Sequence, residues 1–378
     1  PWAWAGSMAV TAMGLLAILA GNPITLVLGW TALDIIEIIF ILVIVRKGFE
    51  TRTIASFGAR FAGILLVMWA ITYSRSQGRE LTLTGVTPQE GLYFLLAVGL
   101  RLGIFPFYIP YTSELPTMRG LGTILRLASP ISSLVLLGRL VDLVMPSEWA
   151  IILSVFTAIA ALYGSSMWLF AKDELSGRPY WLIAFAGMAF ASVVRGQTDS
   201  SFAWGIAMVL NGSVLFLSSD LIRNRRLLYI PLLSFVALTG LPFSPMAIGW
   251  KGLVVLPFSM LDIVFILSHA LLLLGFMRHA FEPGEEYPVG ERWIRAMFIL
   301  GLMLIVVSEW LIGILEQVFQ PSDVWWAGVV SFFLALAGFV LYLRFPAVRW
   351  QERPGLQWIR LLAKRISPQM VVIFRFDW

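Results

Sequence analysis

Asp34 and Glu37 stand three residues apart in an otherwise apolar stretch, so both carboxyls fall on one face of a helix. Two such groups can share a proton or neutralise a nearby guanidinium. The alternative is a buried ion pair that only fixes packing. Arg101 precedes Pro106 by five residues and is a candidate partner for Asp34. Arg126 and Arg139 share the next apolar run. Lys251 follows a second proline pair, where it either relays a proton or snorkels to an interface. Asp262 and Arg139 fall near the ends of their runs, and His269 reads as a satisfied buried histidine. Glu309 lies deep in its run, with no partner evident in the sequence. Ionisable groups inside apolar spans are costly and therefore candidates for function.

These groups are positioned by apolar segments. The 378-residue chain is 59% hydrophobic and 13% charged, with a mean hydropathy of +0.86. A soluble domain carries about 25% charged residues. Apolar runs of about 20 residues recur throughout, the mark of transmembrane helices. They predict an all-α polytopic bundle with spans near 2–20, 23–45, 55–74, 89–111, 122–145, 149–171, 180–195, 201–222, 228–255, 258–280, 293–318 and 324–345. The membrane domain is 1–345, and 346–378 forms a basic amphipathic tail with any helix limited to about 355–366 by Pro354 and Pro368. Arg46, Lys47 and Arg52, then Arg223, Arg225 and Arg226, then Arg349, Arg353 and Arg360 collect on one side, which predicts both ends inside. The opening Pro1-Trp2, without Met, reads as a missing or processed N-terminus.

Without cysteine the chain has no disulfide, no thiolate metal site and no Cys-ligated cluster. Two histidines speak against haem held by a histidine pair. No nucleotide loop or catalytic triad is visible, so no cofactor is expected and redox chemistry would belong to partners. The net charge of +5 needs no nucleic acid; cytoplasmic loops and anionic lipid explain it.

Two spans carry paired prolines: Pro106 with Pro110, and Pro242 with Pro245. Proline removes a donor and clashes with the preceding turn, so both helices should be discontinuous. Ordinary kinks are the alternative. Unwound backbone at membrane depth survives only inside protein or beside a wet cavity. Two such breaks in corresponding positions of two halves suggest an inverted repeat.

The segment from Leu100-Arg101 through Phe105-Pro106-Phe107-Tyr108 resembles the broken seventh helix of the antiporter-like subunits of proton-pumping NADH:quinone oxidoreductase, Mrp-type antiporters and membrane-bound hydrogenases. Arg101 stands where that family has lysine, and Tyr108 where it has histidine. Glu114-Leu115-Pro116-Thr117 resembles the loop that follows, and Ile124-Leu125-Arg126 the start of the eighth helix, with Arg126 at a Lys or His position. Arg139 matches a frequent Arg at its far end. Thr239-Gly240-Leu241-Pro242, running to Lys251, resembles the broken twelfth helix, and Leu28-Gly29-Trp30 the opening of the fifth. The resemblance covers roughly residues 10–318. It implies a chain that begins at the family's fourth helix, with 324–345 an addition.

The resemblance also implies proton transfer along a mid-membrane axis of Glu and Lys. Thr31 stands where the family has Glu, with Asp34 one turn on. The eleventh-helix segment around Asn211 lacks the family's His or Lys. Arginine keeps its proton, with a pKa above about 12, so Arg101 and Arg126 can bias neighbours but not pass a proton on. Three readings follow: a proton-translocating subunit using Asp34, Glu37, Arg101, Arg126 and Lys251; a non-conducting scaffold that anchors partners; or a stand-alone cation/proton antiporter. The expected partners are the lipid bilayer and other membrane subunits. The expected location is a bacterial-type inner, energy-converting membrane with the tail cytoplasmic.

Overall fold

Apolar runs without interior Gly-Pro pairs satisfy their own backbone by winding into helices, and the computed structural model is helical at every expected span. The structure describes residues 2–45, 51–105, 111, 119–140, 143, 145–218, 228–255, 257–281, 292–315 and 323–344. Pro106, Pro110, Tyr108, the basic residues from Arg46 to Lys47 and from Arg223 to Arg226, and the tail from 346 lie outside them.

The chain divides into two compact units, one running to Ala160 and the other from Ala161. The first contains α1 (Trp2–Ile18), α2 (Pro23–Val45), α3 (Thr51–Ser76), α4 (Pro88–Leu102) and α5 (Arg119–Arg139). The boundary falls inside α6 (Ser147–Leu169). The second contains α7 (Glu174–Val194), α8 (Thr198–Ser218), α9 (Tyr229–Leu238), α10 (Trp250–Leu253), α11 (Met260–Phe281), α12 (Arg292–Leu315) and α13 (Trp325–Arg344). Eight of these helices are long and apolar enough to cross a membrane. The chain is an all-α polytopic membrane bundle.

Starts and stops follow local chemistry. At α2, Pro23 takes the first helical position while Asn22 and Thr25 bond each other's backbone amides, at 2.9 and 3.2 Å. Thr87 and Glu90 do the same for α4, whose first residue is Pro88. That helix ends at Leu102 because Gly103 takes a left-handed conformation, φ +69°. The expected span to residue 111 is therefore interrupted before Pro106 is reached.

In the second unit the expected span 228–255 is three pieces. α9 stops at Leu238, Gly240 turns left-handed at φ +66°, and a single 3-10 turn over Ala247–Gly249 leads into the short α10. Pro242 and Pro245 both lie in the unwound stretch.

In the first unit α1 packs on α2 and α5, α2 on α3, and α3 on α4. A Cβ placed at Gly29 would sit 2.7 Å from the Cα of Ala17, so only glycine allows α2 this close to α1. Gly29→Leu is expected to lower the thermal unfolding midpoint in detergent, at a cost of about 1–3 kcal/mol from overpacking. Gly21→Ala, which meets nothing within 4 Å, should leave the midpoint unchanged.

Candidate functional site

Four charged side chains meet inside the first unit, one or two from each of three helices. Asp34 and Glu37 come from one face of α2, Arg60 from α3 and Arg101 from α4, all buried. Arg101 grips Asp34 with both terminal nitrogens: Nη1 donates to Oδ2 at 2.8 Å and Nη2 to Oδ1 at 3.1 Å. Such a two-point fork is the strongest form of carboxylate pairing. Nη2 also donates to the Ser129 hydroxyl on α5 at 3.1 Å, and Nη1 to the Arg60 carbonyl at 3.4 Å. The guanidinium lies 4.4 Å from the centre of the Trp30 ring.

Arg60 divides its Nη1 between the two acids, donating to Asp34 Oδ1 at 3.3 Å and to Glu37 Oε2 more closely. Glu37 Oε1 has no hydrogen-bond partner. Two guanidiniums thus offset two carboxylates within a low-dielectric interior, and the cluster is neutral when both acids are ionised. Thr31, at the position where the resemblance expects Glu, bonds its own helix through Val27 O at 2.7 Å. Asp34, one turn on, meets the α4 cation instead.

Arg126 is buried on α5, with its guanidinium 5.8 Å from the ring of Tyr111. The Tyr111 hydroxyl donates at 3.0 Å to Leu102 O, a carbonyl left open where α4 stops. Arg139, expected near an interface, reaches back to the carbonyl of Ile18, the last residue of α1, and to that of Ala20 just beyond it.

The second unit places its groups differently. Lys251 was expected to be either buried in the relay or snorkelled, and its side chain is exposed. The turn of α10 sends Trp250, Gly252 and Leu253 inward and leaves Lys251 outward. No ion pair joins it to an acid among the described residues. His269 is buried and held from both sides, with Nε2 3.1 Å from Leu238 O and Nδ1 2.9 Å from the Ser331 hydroxyl. The carbonyl facing Nε2 can only accept, so that nitrogen is the donor to Leu238 O. Asp262, expected near the end of its span, lies in the first turn of α11. It is buried, pairs with Arg195 at 3.0 Å and accepts from Ser259 N at 2.8 Å at the head of α11.

Open carbonyls of the broken helix are closed from neighbouring elements. Leu238 O takes the His269 bond, and Gly249 O accepts from Trp204 Nε1 at 2.9 Å and from Ser200. Leu253 O accepts from Arg195. Glu309 finds a partner the sequence did not suggest: Asn211 Nδ2 donates to its Oε1 at 2.6 Å.

Arg60 is the member of the first-unit cluster that the spacing arguments left out. A lone arginine in the first third of the expected third span was the available signal. Glu174 and Arg178, a buried pair on α7 at 2.6 Å, were likewise unmarked. Among the described residues no three His, Asp or Glu gather as metal ligands.

Comparison with solved structures finds the same fold in chains of three membrane complexes. A chain of the Mrp complex from Dietzia sp. DQ12-45-1b matches with a TM-score of 0.67 at 14% identity, over 98% of this chain and 49% of that one. A chain of the membrane-bound sulfane sulfur reductase, an archaeal respiratory membrane complex, matches at 0.63 and 14% identity, over 91% and 68%. A chain of respiratory complex I from Thermus thermophilus, solved with bound aureothin, matches at 0.55 and 19% identity, over 81% and 77%. The protein thus spans about half the length of the Mrp chain. No protein-family model and no curated protein matches the sequence. At these identities the likeness is one of fold. Mrp and complex I are also the assemblies to which the Arg101–Pro106 motif points.

Arg101→Leu should destabilise the protein by about 3–5 kcal/mol, because it leaves two buried acids to one guanidinium. Asp34→Leu with Arg101→Leu leaves Arg60 with Glu37 and should cost less than the single change. Denaturant titration of the detergent-purified protein measures both, and a double variant weaker than the single one would contradict the pairing.

Proposed function

We propose that this chain is an integral membrane subunit of a larger energy-converting complex and that it takes part in moving protons across the bilayer. One observation carries the proposal: the single Nη1 of Arg60 touches both Asp34 and Glu37, while Arg101 independently holds Asp34. Of the four groups only the carboxyls exchange protons at ordinary pH, since arginine stays charged. Asp34 is locked by the Arg101 fork. Glu37 is bonded by one guanidinium and keeps Oε1 open.

The chemistry follows from that asymmetry. A proton arriving at Glu37 removes the negative charge that holds Arg60 there. Arg60 then shifts its weight to Asp34, which it already contacts. Loss of the proton draws it back. Protonation is thereby converted into displacement of a fixed charge beside the interrupted α4, with Arg101 and Arg126 biasing the site without entering the transfer. Lys251, at the surface, stands outside the buried path.

Support for a larger assembly comes from the fold shared with chains of multisubunit membrane complexes and from the basic amphipathic sequence after 345. The clustering of Arg and Lys in alternate connections favours a cytoplasmic tail in a bacterial-type inner membrane. A second reading, a scaffold that keeps the fold without conducting, is favoured by the three guanidiniums of Arg60, Arg101 and Arg126, which cannot relay protons.

Proton flux into vesicles holding the intact complex separates the two. Glu37→Gln is expected to lower the flux at least tenfold, and Lys251→Ala to change it less than twofold. Flux that persists in Glu37→Gln removes Glu37 from the path. No flux in the wild-type complex, with all subunits present, establishes the scaffold.

A further inference from the structure

α12 turns only Leu302, Val306, Glu309 and Gly313 inward, a single seam spaced four, three and four residues apart. Leu304, Leu311 and Ile314 are exposed on its outer side, as lipid contact requires. Three members of the seam pack as expected. Leu302 and Val306 join Val214 of α8 and Ile230 of α9 in an apolar cluster, and Gly313 lies against Pro245 in the unwound stretch. Glu309 occupies the fourth place, 1% exposed, where leucine would fill the space without cost.

Its surroundings are polar but uncharged. Asn211 Nδ2 donates to Glu309 Oε1 at 2.6 Å, and the Ser234 hydroxyl donates to Asn211 Oδ1. Glu309 Oε2 is buried without a partner. The ionisable groups on the three packed helices are Asp199 on α8, Tyr229 on α9, and Arg292 and Arg295 on α12. Asp199 lies about 18 Å along its helix from Asn211, and Arg295 about 21 Å from Glu309. Tyr229 is exposed at the start of α9. None of them supplies a counter-charge at the site.

This chain of contacts accommodates two protonation states without moving the three side chains apart, the amide oxygen and nitrogen exchanging places between them. As a carboxylate, Glu309 accepts from the amide and the amide accepts from serine. If the Asn211 amide turns over by 180° and the serine hydroxyl rotates, every bond reverses. A protonated Glu309 then donates to Asn211 Oδ1, and Asn211 Nδ2 donates to Ser234 Oγ. An arginine or lysine partner would permit only the first state. In the second, the unpartnered Oε2 is a neutral carbonyl oxygen, which costs less to bury than an anionic one.

We propose that Glu309, Asn211 and Ser234 form a proton-binding site of the second unit, with Glu309 carrying the exchangeable proton and the amide switching direction as it comes and goes. The site is built entirely from α8, α9 and α12, and it stands whether or not Glu37 conducts.

Infrared difference spectroscopy of the full complex in lipid tests it directly. The wild type minus Glu309→Gln difference should contain one protonated-carboxyl C=O band. That band should move to lower frequency on transfer to D2O and shift again in Asn211→Leu, which removes the partner. Glu37→Gln should leave it in place, which separates this result from the flux measurement. A difference spectrum showing only carboxylate at every pH, a band unmoved by D2O, or a band indifferent to Asn211→Leu overturns the proposal. If Glu309→Gln does not assemble, reaction of the wild-type complex with a hydrophobic carbodiimide decides instead. An adduct at Glu309 that falls away at alkaline pH, mapped by peptide mass, is the expected result. No adduct at any pH overturns it.

Discussion

The polar atoms buried in this bundle are governed by the absence of water around them. Inside hydrocarbon an open carbonyl has nowhere to turn except to another part of the chain. The helix breaks make the demand acute, because each frees acceptors that winding would have closed. The molecule answers with side chains from other helices: Tyr111 at the end of α4, and His269, Trp204, Ser200 and Arg195 along the gap between α9 and α11. Residues that look like isolated polar intrusions in the sequence are thus the closing half of a backbone defect elsewhere. His269 is the clearest case. A lone histidine in an apolar run invites a chemical role, yet both its nitrogens are committed to holding α9 and α13 in place.

The same scarcity of water shapes the charges. Asp34, Glu37, Arg60 and Arg101 balance to zero when both acids are ionised, so burying four formal charges leaves no net charge stranded. The second unit uses another solution. Glu309 has an amide and a hydroxyl rather than a cation, so its neutrality must come from a proton. Two carboxyls in the same membrane therefore sit in opposite settings: Glu37 is held by fixed positive charge and Glu309 by reversible dipoles. A group held by arginine reports a proton through movement of charge, whereas a group held by an amide reports it through the direction of its hydrogen bonds.

Composition and run length made the helices legible, and each of the twelve expected spans has a helix at its place. The break at Pro242 and Pro245 was legible too, since paired prolines leave few ways to stay wound. The earlier end of α4 depended on Gly103, a residue less conspicuous than the Pro106 beyond it. The site was half legible. Spacing along one helix showed that Asp34 and Glu37 share a face, and the cation beside the break suggested Arg101 as the partner. Contacts between helices carry no spacing signal, so Arg60 went unmarked and Asn211 could not be matched to Glu309 across 98 positions. Lys251 shows the limit from the other side. Its position next to the break is compatible with either burial or exposure, and only the direction in which a one-turn helix points its four residues decides between them.

Arg139 ties the order of synthesis to the finished form. Its guanidinium completes the end of α1, bonding Ala20 O from 119 positions downstream. A nascent chain leaving the ribosome therefore inserts α1 long before the group that finishes it exists. Until α5 is in place, those carbonyls lack the side-chain donor that closes them in the folded unit. The end of α1 is thus secured only once α5 is in place, so these two helices of the first unit mature together.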